Sequence, residues 1–391
     1  MSMETLPVEI LHRIFDHIDT QTIIFSIRSV CRLFQNVVHT YERYTLDFQS
    51  IYLTDFRLLC KLITPQKARS LILCNSEYTP NAIDLFVSTV RLQRFTRLHS
   101  LTLIDIDEFQ MNIILKRINL TLLKSVSIQI RKYDARRVKT TSYFLSSIVA
   151  NSALRKLEIS FRFDRISWPI HCRIQCLTIN NDIPFDNLRQ ILLCSPQLHT
   201  LTIEGELLNM KSLSQKDSFP QITSLTLKKF ELISDKLESF LSLTSSLTYL
   251  KIISDGFTLD GNRWEQFIQI NLCQLEKFEF FSNVSVTQKQ THEDLDVIIQ
   301  SFRSPFWIEQ KQWFVACELS NAYEIQIYSL PICKSFVEYT LKKEKVLVSS
   351  NSTISSWYDD LSITNNIDKI SLLLNETTTG SLKNEVCYSN L

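Results

Sequence analysis

Glycine is nearly missing from this chain: four residues in 391. Folds that wrap phosphates in glycine-rich loops need close backbone approaches that so few glycines cannot supply. No apolar run approaches the ~18 residues of a membrane span. One-signed charge is lacking too. Lys and Arg number 42 against 41 Asp and Glu, a formal net charge of +1. Nothing electrostatic therefore favours nucleic acid or an acidic membrane surface as partner. The first residues carry no basic stretch, apolar run and small-residue cleavage site, so no secretory signal is visible. The ten cysteines are expected to be reduced thiols, several in the core, in a cytoplasmic and/or nuclear protein.

Catalytic signatures are also scarce. G-x-S-x-G, H-E-x-x-H and C-x-x-C do not occur. GFTLDGNR (256–263) has the glycine spacing of a phosphate loop, but Asn262 and Arg263 stand where Lys and Ser/Thr are required. HCRIQC (171–176) offers His171, Cys172 and Cys176 without the second ligand pair that zinc needs. The basic run RKYDARRVK (131–139) is read as a solvated loop. No enzyme, no metal and no cofactor are expected.

What is present is repetition. An apolar-x-x-apolar-x-apolar pattern recurs as ARSLIL (68–73), LHSLTL (98–103), LKSVSI (123–128), LRKLEI (154–159), IQCLTI (174–179), LHTLTI (198–203), ITSLTL (222–227), LTYLKI (247–252) and LEKFEF (275–280). The starts lie 20 to 31 residues apart, near the 20–29 window of leucine-rich repeats. His99 and His199 fall at equivalent places in two of these strands, as repetition requires and catalysis does not. Between the strands, NAIDLFVSTVRL, FDNLRQILLCS and RWEQFIQINLC place apolar residues at helical spacing. A strand followed by a one-striped helix is a coil that cannot bury its own apolar face, and stacking supplies the core. The asparagine expected after each strand is mostly absent; Asn283 in LEKFEFFSN is the exception.

The N-terminal stretch carries more apolar surface than it can use. At 100° per residue, Val8, Ile10, Leu11, Ile14, Phe15 and Ile18 fill an arc of roughly 160°, against the ~100° of a one-sided surface helix. Cys31, Leu33, Phe34, Val37, Val38 and Tyr41 do the same. Between them TQTIIFSIRSV adds a third apolar run, with Thr20 or Asp19 as its N-cap. A unit of roughly 40 residues is at the limit of independent folding. The surplus docks either onto the coils behind it or onto another protein.

Residues 6–38 resemble an F-box, through Leu6, Pro7, Glu9, Ile10 and Leu11, then Ile14, Phe15 and Ile18, then Val30, Cys31, Arg32 and Phe34. The sequence departs from the family pattern at Thr22, where Asp is common, and at Phe34, where Trp is frequent. The resemblance implies that the surplus face docks onto the Skp-type adaptor of a cullin-RING (SCF-type) ubiquitin ligase, and that the domain behind it recruits the protein to be ubiquitinated. Carried over by position, Leu6, Pro7, Ile10, Leu11, Ile14, Phe15, Val30, Cys31 and Phe34 are the expected adaptor contacts or their supports. The competing reading is a repeat scaffold outside any ligase, with these helices capping the first coil.

The expected architecture is α/β: a three-helix F-box over 1–45, an irregular leucine-rich-repeat-like solenoid with parallel strands and outer helices over 46–290, and a cap region over 291–391 ending in a loose tail. The cap is aromatic-rich, with Phe302, Phe306, Trp307, Trp313 and Phe314, and is expected to form a helix and two strands, with YEIQIYSLP and KISLLLN as further strands. The strand residues flanking each core position are small and polar in the early coils. The last two coils present Tyr249, Lys251, Lys277, Glu279 and Phe281 instead. Aromatic and charged residues together suit recognition, so these five are the expected contacts for an unknown target protein.

Overall fold

The computed structural model describes residues 6–76, 78–131, 145–161, 168–210, 217–229, 234–256, 259–286, 292–321, 323–331, 336–340, 347–350, 369–373 and 386–389. The chain is mixed α/β, with helices at the N-terminus followed by long runs of parallel strand. It divides into two compact units, residues 1–183 with 187–198, and residues 184–186 with 199–391.

In the first unit, α1 (Val8–Phe15) follows Pro7, whose carbonyl accepts from Ile10 and Leu11. Its missing N–H costs nothing at a helix start. The second helix is irregular: a π-helical stretch, Thr22–Ile27, runs into the single turn α2 (Arg28–Val30). Asp19 caps it, accepting from the Thr22 amide at 2.7 Å and the Thr22 hydroxyl at 2.6 Å. Burial works to raise the Asp19 carboxyl, but these bonds hold it below its usual range. Cys31 is fully extended and breaks the chain before α3 (Arg32–Thr40).

Strands β1 (Tyr44–Asp47), β2 (Ala68–Cys74), β3 (Ser100–Ile106), β4 (Ser125–Ile130), β5 (Lys156–Ser160) and β6 (Cys176–Ile179) lie side by side in that order, all parallel. The repeat pattern sets the register. Leu71, Leu101, Val126, Leu157 and Leu177 stand in one row and Leu73, Leu103, Ile128, Ile159 and Ile179 in the next, all buried. Each such side chain contributes about 1.5–3 kcal/mol on leaving water, and the stack turns coils that could not fold singly into one core. β1 is a further coil that the repeat pattern did not announce. Its Tyr44 and Leu46, with the following Phe48, are buried. Asn75, directly after β2, performs the role for which no early asparagine was expected: it accepts from the Ile83 amide and donates to the Asp105 carbonyl, linking neighbouring coils. A short strand β7 (Ile183–Pro184) leads into a helix over Phe185–Cys194.

In the second unit, β8 (Thr200–Glu204) is followed by the two-residue β9 (Leu207–Leu208). β8 then pairs in parallel with β10 (Ser224–Lys228), β10 with β11 (Tyr249–Asp255), and β11 with β12 (Lys277–Ser285). The order then reverses direction. β14 (Glu324–Ser329) joins β12 antiparallel, and β13 (Val315–Asn321) joins β14. The aromatic-rich segment therefore continues the sheet as a hairpin. β15 (Phe336–Thr340) pairs with β17 (Lys369–Leu373), and β17 with β18 (Val386–Ser389); β16 (Leu347–Ser349) adds to β13. The expected strand in YEIQIYSLP is β14 and that in KISLLLN is β17; most of the expected loose tail and of the basic run 131–139 lies outside the described residues. Trp264 stacks on Phe278 at 5.3 Å, and Phe302, Trp307 and Trp313 close around Phe278 and Phe280. These rings fill one another's space as core. Gly261 heads the helix Gly261–Asn271, where a Cβ would lie 2.3 Å from the Ser301 carbonyl oxygen. That close approach, rather than a phosphate, accounts for the second glycine of GFTLDGNR.

Candidate functional site

The N-terminal helices are fastened by polar and aromatic contacts on their inner side. Phe15, Tyr41 and Tyr44 form a ladder of edge-on rings at 5.6 and 5.0 Å. The Tyr41 hydroxyl donates to Asp16 at 2.9 Å, and Asp16 also pairs with Arg43 at 2.9 Å. Burial and the Asp16 bond push the Tyr41 phenol far up; burial alone pushes Tyr44 up to about 12, against the small opposing field of Arg28. Hydrogen bonds tie the helices to the coils: the Thr20 hydroxyl donates to the Thr45 carbonyl at 2.5 Å, the Tyr44 hydroxyl to the Val38 carbonyl at 2.9 Å, and the Lys67 ammonium to the His39 carbonyl at the end of α3.

The nine residues expected to meet the adaptor separate into two groups. Leu11 and Phe15 are buried, the place of supports rather than of contacts. The other seven keep accessible surface. Val30 is 67% and Ile10 39% exposed, Pro7 is exposed, and Leu6, Ile14, Cys31 and Phe34 are half-buried. Val8, 40% exposed, joins them; its place on the apolar arc of α1 signalled it. Val30 ends α2 directly before the extended Cys31. The apolar surplus is therefore not sealed against the coils.

The five residues expected to meet a target form a tight cluster on β11 and β12, where Tyr249 stands beside Lys277 and Lys251 beside Glu279. Glu279 is the hub. Tyr249 donates to it at 2.7 Å, Lys277 pairs with it at 2.6 Å and Lys251 lies at 3.8 Å. Burial works to raise its carboxyl, but the Lys277 and Tyr249 bonds keep it below the usual range. The Lys277 ammonium also sits over the Tyr249 ring at 5.4 Å. Two members are corrected. Glu279 is 5% exposed, and Phe281 is 4% exposed because Tyr328 of β14 stacks on it at 5.9 Å. Tyr249, Lys251 and Lys277 keep accessible surface.

Cys172 is buried, with its thiol pushed up by burial, and Cys176 lies on β6. Among the described residues no cluster of His, Cys, Asp and Glu could hold a metal ion, and no helix is long and apolar enough to cross a membrane.

Residues 3–46 match the family model described as F-box domain. The chain thus carries an F-box domain ahead of its repeat strands, which supports a general role in substrate recognition by SCF-type ubiquitin ligases; F-box domains typically bind Skp-type adaptors, and F-box proteins are typically non-catalytic. No curated protein matches the chain at a significant level.

Proposed function

We propose that this protein is a substrate receptor of a cullin-RING ubiquitin ligase. Its F-box docks onto a Skp-type adaptor through Leu6, Pro7, Val8, Ile10, Ile14, Val30, Cys31 and Phe34, and its repeat coils recruit the protein to be ubiquitinated. The observation that carries this reading is the apolar surface left open within residues 3–46. A patch of this kind on one small domain marks an interaction site, and a few buried anchors dominate such interfaces at about 2 kcal/mol or more each. The receptor performs no bond-making itself. It holds target and ligase together, so that transfer becomes a proximity effect.

Tyr249, Lys251 and Lys277 are the proposed target contacts, held rigid by Glu279 from beneath. The test is affinity capture with the full chain. Val30→Asp removes adaptor and cullin from the captured material and retains the proteins bound by the coils. Tyr249→Ala with Lys277→Ala does the reverse. A chain that captures neither adaptor nor cullin has another function, and the scaffold reading then stands.

A further inference from the structure

The near-zero charge of the whole chain conceals a segregation. Residues 56–181 hold twenty Lys and Arg against eight Asp and Glu, a formal +12, and the rest of the chain stands at −11. Within that stretch the acids avoid one edge. Residues 56–70, 85–100, 109–125, 135–156 and 165–176, which lead into β2 to β6, contain no Asp or Glu. Those strands are parallel, so all five begin at the same edge of the first unit.

Part of the pattern has a local cause. Lys61 ends the helix Leu53–Leu62, and Lys116 and Arg117 end the helix Glu108–Arg117, where cations suit the helix dipole. No helix accounts for the strand starts. There the amide of His99 donates to the Arg69 carbonyl at 2.8 Å, that of Lys124 to His99 at 2.7 Å, and that of Arg155 to Lys124 at 2.8 Å. Arg69, His99, Lys124 and Arg155 thus form one transverse row over four neighbouring strands, each with accessible surface, at steps of about 4.8 Å. Lys156 follows Arg155 and stands beside Ser125. The nearby carboxylates are committed: Glu158 accepts from Asn180 at 3.0 Å, Asp105 pairs with Arg131, and Glu42 with Arg97.

Water solvates each of these cations singly, so exposure by itself names no occupant. The row differs from scattered surface cations, because like charges on neighbouring strand positions repel and work against folding. A polyanion lying along the row removes that repulsion. The row is about 14 Å long, the length of four to five residues of extended chain. It presents no Phe, Tyr or Trp on which bases could stack, the platform that single-stranded nucleic acid uses.

We propose that this row binds an acidic segment of the recruited protein in extended form, its carboxylates meeting Arg69, Lys124, Arg155 and Lys156. That the segment belongs to a target rests on the receptor reading above; that it is acidic does not. The Tyr249 cluster lies in the other unit, so the row is a second contact site.

The probe is a fluorescent oligoglutamate peptide of about ten residues. Its anisotropy is measured against the full chain at roughly 0.05 and 0.5 M salt. The wild-type chain binds at low salt and loses about tenfold in affinity at high salt. Arg69→Gln with Lys124→Gln binds about tenfold more weakly at low salt, and its urea midpoint is no lower than that of the wild type, because repulsion is relieved. Arg57→Gln with Lys236→Gln makes the same change in net charge at exposed helix positions away from the row, and binds as the wild type does. The proposal is overturned if the wild-type chain does not bind the peptide, if the helix variant loses as much affinity as the row variant, or if the row variant unfolds at lower urea. It is also overturned if a single-stranded uridine RNA of about ten nucleotides binds the row more tightly than the peptide, which gives the row to nucleic acid. Mixing with purified Skp-type adaptor tests the receptor reading separately: a chain that binds the peptide but no adaptor keeps the acidic site and loses that reading.

Discussion

At the scale of single residues, exposure separates function from support within one short motif. Phe15 and Val30 are both large, apolar and part of the same family pattern, yet Phe15 is buried under Tyr41 and Val30 stands in solvent. Phe15→Ala should therefore destabilise the F-box helices by about 3–5 kcal/mol, read as faster amide exchange across α1 and α3. Val30→Asp should change stability by less than about 0.5 kcal/mol and abolish adaptor binding. Equal losses of stability in both variants would place Val30 in the core and contradict this assignment. Gly261 is a second residue whose role the packing decides. A Cβ there meets backbone that cannot move away cheaply, so Gly261→Ala should cost about 1–3 kcal/mol, measured by urea unfolding. A variant as stable as the wild type would show that the helix and Ser301 have room to separate.

At the scale of elements, β11 and β12 show what strand alternation can and cannot disclose. The pattern correctly gives Leu250, Ile252, Phe278 and Phe280 to the core. It assigns Phe281 and Glu279 to an open face, because alternation sees one buried side only. The hairpin of β13 and β14 adds to the sheet beside β12 from beyond the repeat, and Tyr328, the cross-strand partner of Phe281, stacks on it and buries it. The Glu279 cluster has a pH signature. Its carboxyl titrates lower in the folded chain than when unfolded. Its contribution to stability is therefore complete above the ordinary carboxylate range and is lost as pH falls through the folded value. Glu279→Gln should lower the urea midpoint at neutral pH, by the equivalent of about 1–3 kcal/mol. The gap to the wild type should close as the solution is acidified below pH ~4. A gap independent of pH would mean that Lys277 and Tyr249 do not depend on the charge.

At the scale of the whole molecule, the sequence carries its architecture in repetition and hides it where repetition lapses. All nine recurrences of the repeat pattern are strands, in the expected parallel arrangement within each unit. β1 was not legible because its register with β2 shifts between Tyr44 and Thr45, so that Tyr44 and Leu46, two residues apart, stand beside Ala68 and Leu71, three apart. The hairpin was legible as strands but not as a continuation of the sheet, since antiparallel addition leaves no repeat spacing. The F-box was legible from Leu-Pro, Ile-Phe and Val-Cys-Arg at their family separation. Which of its apolar residues face outward was not, because an arc of roughly 160° does not say where its own domain ends and a partner begins.

The central claim is that the open apolar surface of residues 3–46 belongs to an adaptor. Size-exclusion chromatography with light scattering, on the full chain mixed with a purified Skp-type adaptor, tests it most directly. The account predicts a one-to-one complex from the wild-type chain and two separate peaks from the Val30→Asp variant. Separate peaks from the wild-type chain, or a complex that Val30→Asp leaves intact, would contradict it.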